Sequence, residues 1–110
     1  MKIEKFDSGI LQKISKIIGK MFTGSEIPKI LKEANINNIS QHSTKWRIIE
    51  ECLIEKQSQD NCANNILNFV KIALSPTHNI DNLNYDNNIL EINEILSFKG
   101  LEIKSGSFSF

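Results

Sequence analysis

The feature that most constrains the fold of this chain is a spacing of apolar residues at every third or fourth position, which recurs in five separate runs. Such spacing places the apolar side chains of each run on one face of an α-helix. The runs predict helices at about 9–21, 26–34, 44–57, 62–75 and 86–99. We therefore expect a mainly α-helical fold, in which about five helices bury their apolar faces against one another in a small bundle.

Polar residues predict where the first three helices begin. Ser8 and Ser25 are the expected N-caps of the first two helices, and Ser43 or Thr44 is expected to start the third. Ser25 is preferred because Pro28 then becomes the third helical residue, where its missing N–H has no intrahelical partner in any case.

The C-terminal end of the chain changes its pattern. Gly100 stands where a left-handed C-cap is expected after the fifth helix, and Leu101 can supply the apolar contact that accompanies such a cap. Residues 101–110, "LEIKSGSFSF", then alternate apolar and polar side chains around a Ser-Gly turn. This alternation predicts a short β-hairpin. Phe108 and Phe110 either pack on the bundle or contact a partner.

Length and composition fit one soluble domain over residues 1–110, and no apolar run approaches the length of a membrane span. The N-terminus has no signal peptide pattern. The two cysteines, Cys52 and Cys62, are not in a CxxC pair and are expected to be reduced thiols on helix faces. We therefore expect a cytoplasmic protein that does not enter a membrane.

The charges of the chain are divided unevenly between its two halves, although the net charge is zero. Residues 1–47 carry a net charge of +5 and residues 48–110 a net charge of −5. This division fits either two halves that attract each other or a face that binds an acidic partner.

A helix-turn-helix-like core would give the basic residues a function. The third predicted helix opens with Ser-Thr-Lys-Trp-Arg, so basic side chains lie where a recognition helix meets the major groove. The candidate nucleic-acid-binding residues are Lys13, Lys16, Lys20, Lys45 and Arg47. Against this interpretation, the connection at about 35–43 exceeds the usual turn of 3–4 residues, and Trp46 is expected to lie in the core with Ile49 and Leu53.

No pattern in the sequence indicates catalysis. His42 and His78 lack partners at the spacing of metal ligands, and there is no nucleophile elbow, no phosphate-binding glycine loop and no HExxH. We expect no metal, no cofactor and no enzyme activity, while a small-molecule pocket between the helices remains the least favoured alternative.

Several short segments resemble the N-terminal region of the Ymh-type group of uncharacterised prokaryotic proteins. These segments are Thr-Gly-Ser-Glu-Ile at 23–27, Thr-Lys-Trp at 44–46, Asn93, and Phe-Lys-Gly-Leu at 98–101. The C-terminal half of that group resembles a HEPN domain of the abortive-infection kind. The Arg-then-His pattern of HEPN ribonucleases does not occur here, because the only arginine, Arg47, has no histidine shortly after it. The resemblance thus implies an N-terminal module of a longer protein, whose partner domain acts on RNA in anti-phage defence, and it carries no catalytic residue over to this chain.

Together, the resemblance and the phenylalanine-rich end predict a non-enzymatic sensing or interaction module of an anti-phage, abortive-infection-type protein. Such a module would dock or regulate an effector domain, or associate with itself, and its expected partner-binding residues are Phe108 and Phe110. The alternative prediction is a helix-turn-helix-like nucleic-acid-binding domain.

Overall fold

The computed structural model describes residues 2–79 and 84–103. Within these residues the chain forms five α-helices and one short 3-10 helix. The α-helices are α1 (Ser8–Met21), α2 (Ile27–Glu33), α3 (Lys45–Asp60), α4 (Asn64–Ala73) and α5 (Tyr85–Ser97). Pro76–His78 form the 3-10 helix. The predicted number of helices and their approximate positions are confirmed, and no described helix is long and apolar enough to cross a membrane.

The first helix begins one residue earlier than predicted, because Asp7 and not Ser8 is its N-cap. Asp7 has an extended backbone, and its Oδ1 accepts a hydrogen bond from the Ile10 N–H at 2.9 Å. A carboxylate at this position satisfies a free N–H and also interacts favourably with the positive end of the helix dipole.

The start of α2 also differs from the prediction, since Ser25 does not cap it. Thr23 and Glu26 form a reciprocal capping box, in which the Thr23 N–H donates to Glu26 Oε1 at 2.8 Å and the Glu26 N–H donates to Thr23 Oγ1 at 3.3 Å. Hydrogen bonding of the Glu26 carboxylate to Thr23, first to its backbone N–H and then to its side chain, lowers the pKa of Glu26. The helix proper begins after the box, at Ile27, so Pro28 still lies where no N–H is required.

The core is formed where α1 packs against α3 and α5, with α4 covering α2 and α3. Its largest fully buried side chains are Leu11, Ile14, Ile18, Ile27, Ile30, Leu31, Ile49, Leu53, Ile66, Phe69, Leu74 and Ile92. The predicted stripe of α3 is correct for Ile49 and Leu53, but the prediction that Trp46 belongs to the core is wrong. Trp46 is only partly buried and lies outside the core cluster.

The end of α5 follows the predicted left-handed cap. Gly100 has a φ of +69°, and the Leu101 N–H donates to the Leu96 carbonyl at 3.1 Å. The predicted hairpin is not supported, because the described residues contain no strand and Leu101–Ile103 have no strand partner. The rest of the predicted hairpin, 104–110, lies outside the described residues.

Two side-chain amides bind the segments that flank the helices. The Gln57 amide accepts from the Phe6 N–H at 2.8 Å and donates to the Phe6 carbonyl at 2.9 Å. The Asn93 amide makes the same pair of bonds with the Ile103 backbone, each at 2.6 Å. We call these the two amide clamps. Each replaces the backbone partner that a neighbouring strand would otherwise provide.

Candidate functional site

A cluster of two cations around one indole ring lies where α1 meets the start of α3. Lys16 Nζ is 4.8 Å from the centre of the Trp46 ring, and Arg47 Cζ is 4.9 Å from it. We call these three residues the cation–tryptophan cluster. Both cations are exposed. The indole ring attracts each cation through its negative face, which explains why two like charges can be held so close together.

Gly19 makes this arrangement possible because it lets α3 approach α1 closely. A Cβ at Gly19 would lie 3.2 Å from the backbone N, the Cα and the Cβ of Trp46. The first turn of α3 therefore rests directly on the backbone of α1. This contact holds Trp46 at the edge of the bundle, beside Lys16, instead of in the core.

Replacing Gly19 with alanine should destabilise the protein, although alanine is the better helix former. The new methyl group meets backbone atoms of Trp46 that cannot turn away. Overpacking costs about 1–3 kcal/mol, whereas the gain in helix propensity is about 1 kcal/mol. We expect the free energy of unfolding, measured by chemical denaturation, to fall by about 1 kcal/mol, and the fluorescence of Trp46 to change.

The matched control for this change is Gly24→Ala. Gly24 has no heavy atom within 4 Å of the position that its Cβ would take. Its replacement should leave both the denaturation midpoint and the fluorescence spectrum almost unchanged. If Gly19→Ala were as stable as Gly24→Ala, the close approach of α3 to α1 would not be what positions the indole.

The other predicted basic residues have different surroundings. Lys20 is exposed and lies one helical turn beyond Lys16. Lys45 Nζ donates a hydrogen bond to the Phe22 carbonyl at 3.0 Å, just after the end of α1. Because Lys45 thereby satisfies a carbonyl at a helix C-terminus, part of its donor capacity is used within the fold.

Lys13 lies nearer the start of α1, beside a shallow groove between this helix and the end of α5. The groove has a volume of about 360 Å³, and its lining includes Asp7, Ile10, Lys13, Ile95, Phe98 and Lys99. Phe98 is 82% exposed, which makes it the most exposed large apolar side chain among the described residues. Sequence reasoning placed Phe98 in the apolar run of the fifth helix and did not indicate its exposure.

The predicted partner-binding residues Phe108 and Phe110 lie outside the described residues. Among the described residues, no three His, Cys, Asp or Glu side chains are close enough to hold a metal ion together. The Cys52 thiol is buried, and this burial raises its pKa. His78 Nε2 lies 3.0 Å from Glu33 Oε2 and links the 3-10 helix to α2.

Of the five basic residues predicted to form a site, the structure thus joins Lys16 to Arg47 and leaves Lys20 nearby. Lys45 takes part in a structural contact, and Lys13 belongs to the groove at Phe98. The one sequence signal that could have revealed the cluster is Gly19, a glycine within a helix that otherwise has strong apolar periodicity.

Comparison with known proteins adds no relative. No family model matches this chain, and neither a curated protein nor a solved structure matches it. The resemblance to the Ymh-type region therefore stays a prediction from short segments.

Proposed function

We propose that this chain is a non-enzymatic sensing or interaction module of an anti-phage, abortive-infection-type prokaryotic protein, which docks or regulates an effector domain. The observation that carries the proposal is that Phe98 is 82% exposed beside the groove between α1 and α5. The same residue belongs to one of the segments on which the family resemblance rests.

The end of α5 does not need Phe98 for its own stability. The helix is closed by Gly100 and Leu101, and Leu101 packs against the core. The exposed ring therefore contributes little to the cap, and an aromatic side chain beside a groove is the kind of residue that dominates binding at protein interfaces. Phe108 and Phe110 are proposed to add to the same partner contact.

Replacing Phe98 with alanine should weaken partner binding by about tenfold or more, the size expected for an interface hot spot. A pull-down from phage-infected cells would identify the partner, and the affinities of the parent and the variant for the captured protein would then be compared. The solution mass of the isolated chain would show whether it associates with itself. Ile54→Ala is the matched control, because Ile54 is 44% exposed on another helix. A strictly monomeric chain that captures no partner, or equal binding by both variants, would contradict the proposal.

The cation–tryptophan cluster favours a second candidate function, nucleic-acid binding. In the helix-turn-helix form of this proposal, α3 would be the recognition helix and residues 34–44 its unusually long connection to α2. Phosphate contacts by Lys16, Lys20 and Arg47 would make the affinity fall steeply as salt is added. Arg47→Glu is a cleaner test than Lys45→Glu, because Lys45 also bonds to Phe22 within the fold.

A further inference from the structure

We infer that the cation–tryptophan cluster binds unpaired, single-stranded nucleic acid, with a base stacked on Trp46 and the adjacent phosphates bound by Lys16 and Arg47. This inference rests on the second candidate function and names its ligand.

The two positive charges of the cluster lie close together. Each cation lies less than 5 Å from the same ring centre, so the two are within about 10 Å of each other. The separation is therefore at most about one Debye length at 0.1 M salt, so the charges repel without full screening. Among the described residues, neither Lys16 nor Arg47 has an ion-pair partner. A phosphate between them would relieve the repulsion.

Replacing the cations on the ring with a base is energetically feasible. The contact of an exposed cation with an aromatic face contributes a factor of about 2 to 5 to the equilibrium constant for forming that contact. A base stacked on an aromatic side chain contributes a factor of about 5 to 150 to the binding constant. Both cations are on long, exposed side chains, so they can leave the ring and bind the phosphates on either side of the stacked base. One stacked base and two phosphate contacts together exceed what the two cation contacts contribute.

The geometry of α3 favours a single strand over a duplex. A recognition helix reads base edges through hydrogen-bonding side chains of its first turns. Here Lys45 donates to the Phe22 carbonyl, and Trp46, which is only partly buried, offers a ring face that carries no hydrogen-bonding group. Such a ring can contact a base face only where the bases are unstacked, as they are in single strands and loops.

Trp46 makes the inference directly testable, because it is the only tryptophan in the chain. The intact protein would be titrated with oligouridylate and oligothymidylate of about twelve nucleotides, and with a duplex of the same length. We expect quenching of the Trp46 fluorescence by the single strands, with an affinity that falls with salt at a slope of about −0.7 for each phosphate contact.

Variants separate the cluster from a general effect of charge. Lys16→Glu and Arg47→Glu should each weaken single-strand binding by at least about tenfold at 0.1 M salt. Lys32→Glu makes the same change of charge at an exposed position of α2 and should change the affinity less than about threefold. With a labelled oligonucleotide, Trp46→Ala should lose about tenfold in affinity, whereas Trp46→Phe should retain most of it.

Some outcomes would contradict only the stacking of a single strand on Trp46, whereas others would contradict nucleic-acid binding as a whole. Equal affinity for the duplex and the single strand, or full binding by Trp46→Ala, would overturn single-strand stacking and leave nucleic-acid binding in place. Absence of binding to every nucleic acid, or an equal loss in Lys32→Glu and Lys16→Glu, would overturn both. Circular dichroism and thermal midpoints within a few degrees of the parent protein would show that each variant is folded.

Discussion

Phe69→Ala should lower the free energy of unfolding by about 3–5 kcal/mol, the largest effect that we expect from a single substitution. Phe69 lies in α4 and is fully buried. Its removal takes away the transfer free energy of the ring and leaves a cavity that the surrounding helices fill only in part. For a chain of this size the loss corresponds to a fall of about 15 °C or more in the thermal midpoint.

The chain offers a matched control of the same residue type. Phe98 is 82% exposed, so Phe98→Ala should change the free energy of unfolding by no more than about 0.5 kcal/mol. Urea denaturation followed by circular dichroism would measure both variants. Similar losses for the two variants would mean that α4 does not pack its Phe69 face into the core as described.

Gln57→Leu should lower the free energy of unfolding by about 2–4 kcal/mol, although leucine is apolar and position 57 is buried. The substitution removes both hydrogen bonds of one amide clamp and leaves the N–H and the carbonyl of Phe6 without partners in a buried position. Each buried backbone group that loses its hydrogen bond costs about 1–3 kcal/mol. The burial of the new leucine side chain offsets part of this cost.

The control for the clamp is Gln59→Leu, on the same helix. Gln59 is exposed, and among the described residues its side chain bonds only to Glu55, at 3.2 Å, so its replacement should change the free energy of unfolding by no more than about 0.5 kcal/mol. Hydrogen exchange gives a second measurement, because the Phe6 amide should lose its protection in Gln57→Leu alone. If Gln57→Leu were as stable as the parent, the contact with Phe6 would be incidental.

The helices could be predicted from the sequence because their apolar periodicity is strong and local. The caps were harder to predict, since Asp7, Ser8, Thr23 and Ser25 are all residues that can cap a helix, and the choice depends on backbone angles that composition does not reveal. The clamps were not predicted. The only trace of Gln57 is its position four residues after Leu53, in line with the buried face of α3.

The candidate site could be predicted only in part. The sequence indicated Arg47 and the lysines of the first helix as a possible site, but it treated Trp46 as a core residue because large aromatic side chains are usually buried. The position of Trp46 is decided by Gly19, which lies 27 residues earlier in the chain. A contact between such distant positions cannot be derived from local periodicity.

The two amide clamps have a further consequence for the order in which the molecule opens. The Phe6 and Ile103 backbones are bound to the bundle by side-chain amides and not by a ladder of strands. Local fluctuations that break only a few contacts require much less free energy than global unfolding does. Detaching either segment breaks its clamp and also exposes a buried core side chain, Phe6 or Ile103. Such an opening therefore requires more free energy than the fraying of a solvated chain end, although less than global unfolding.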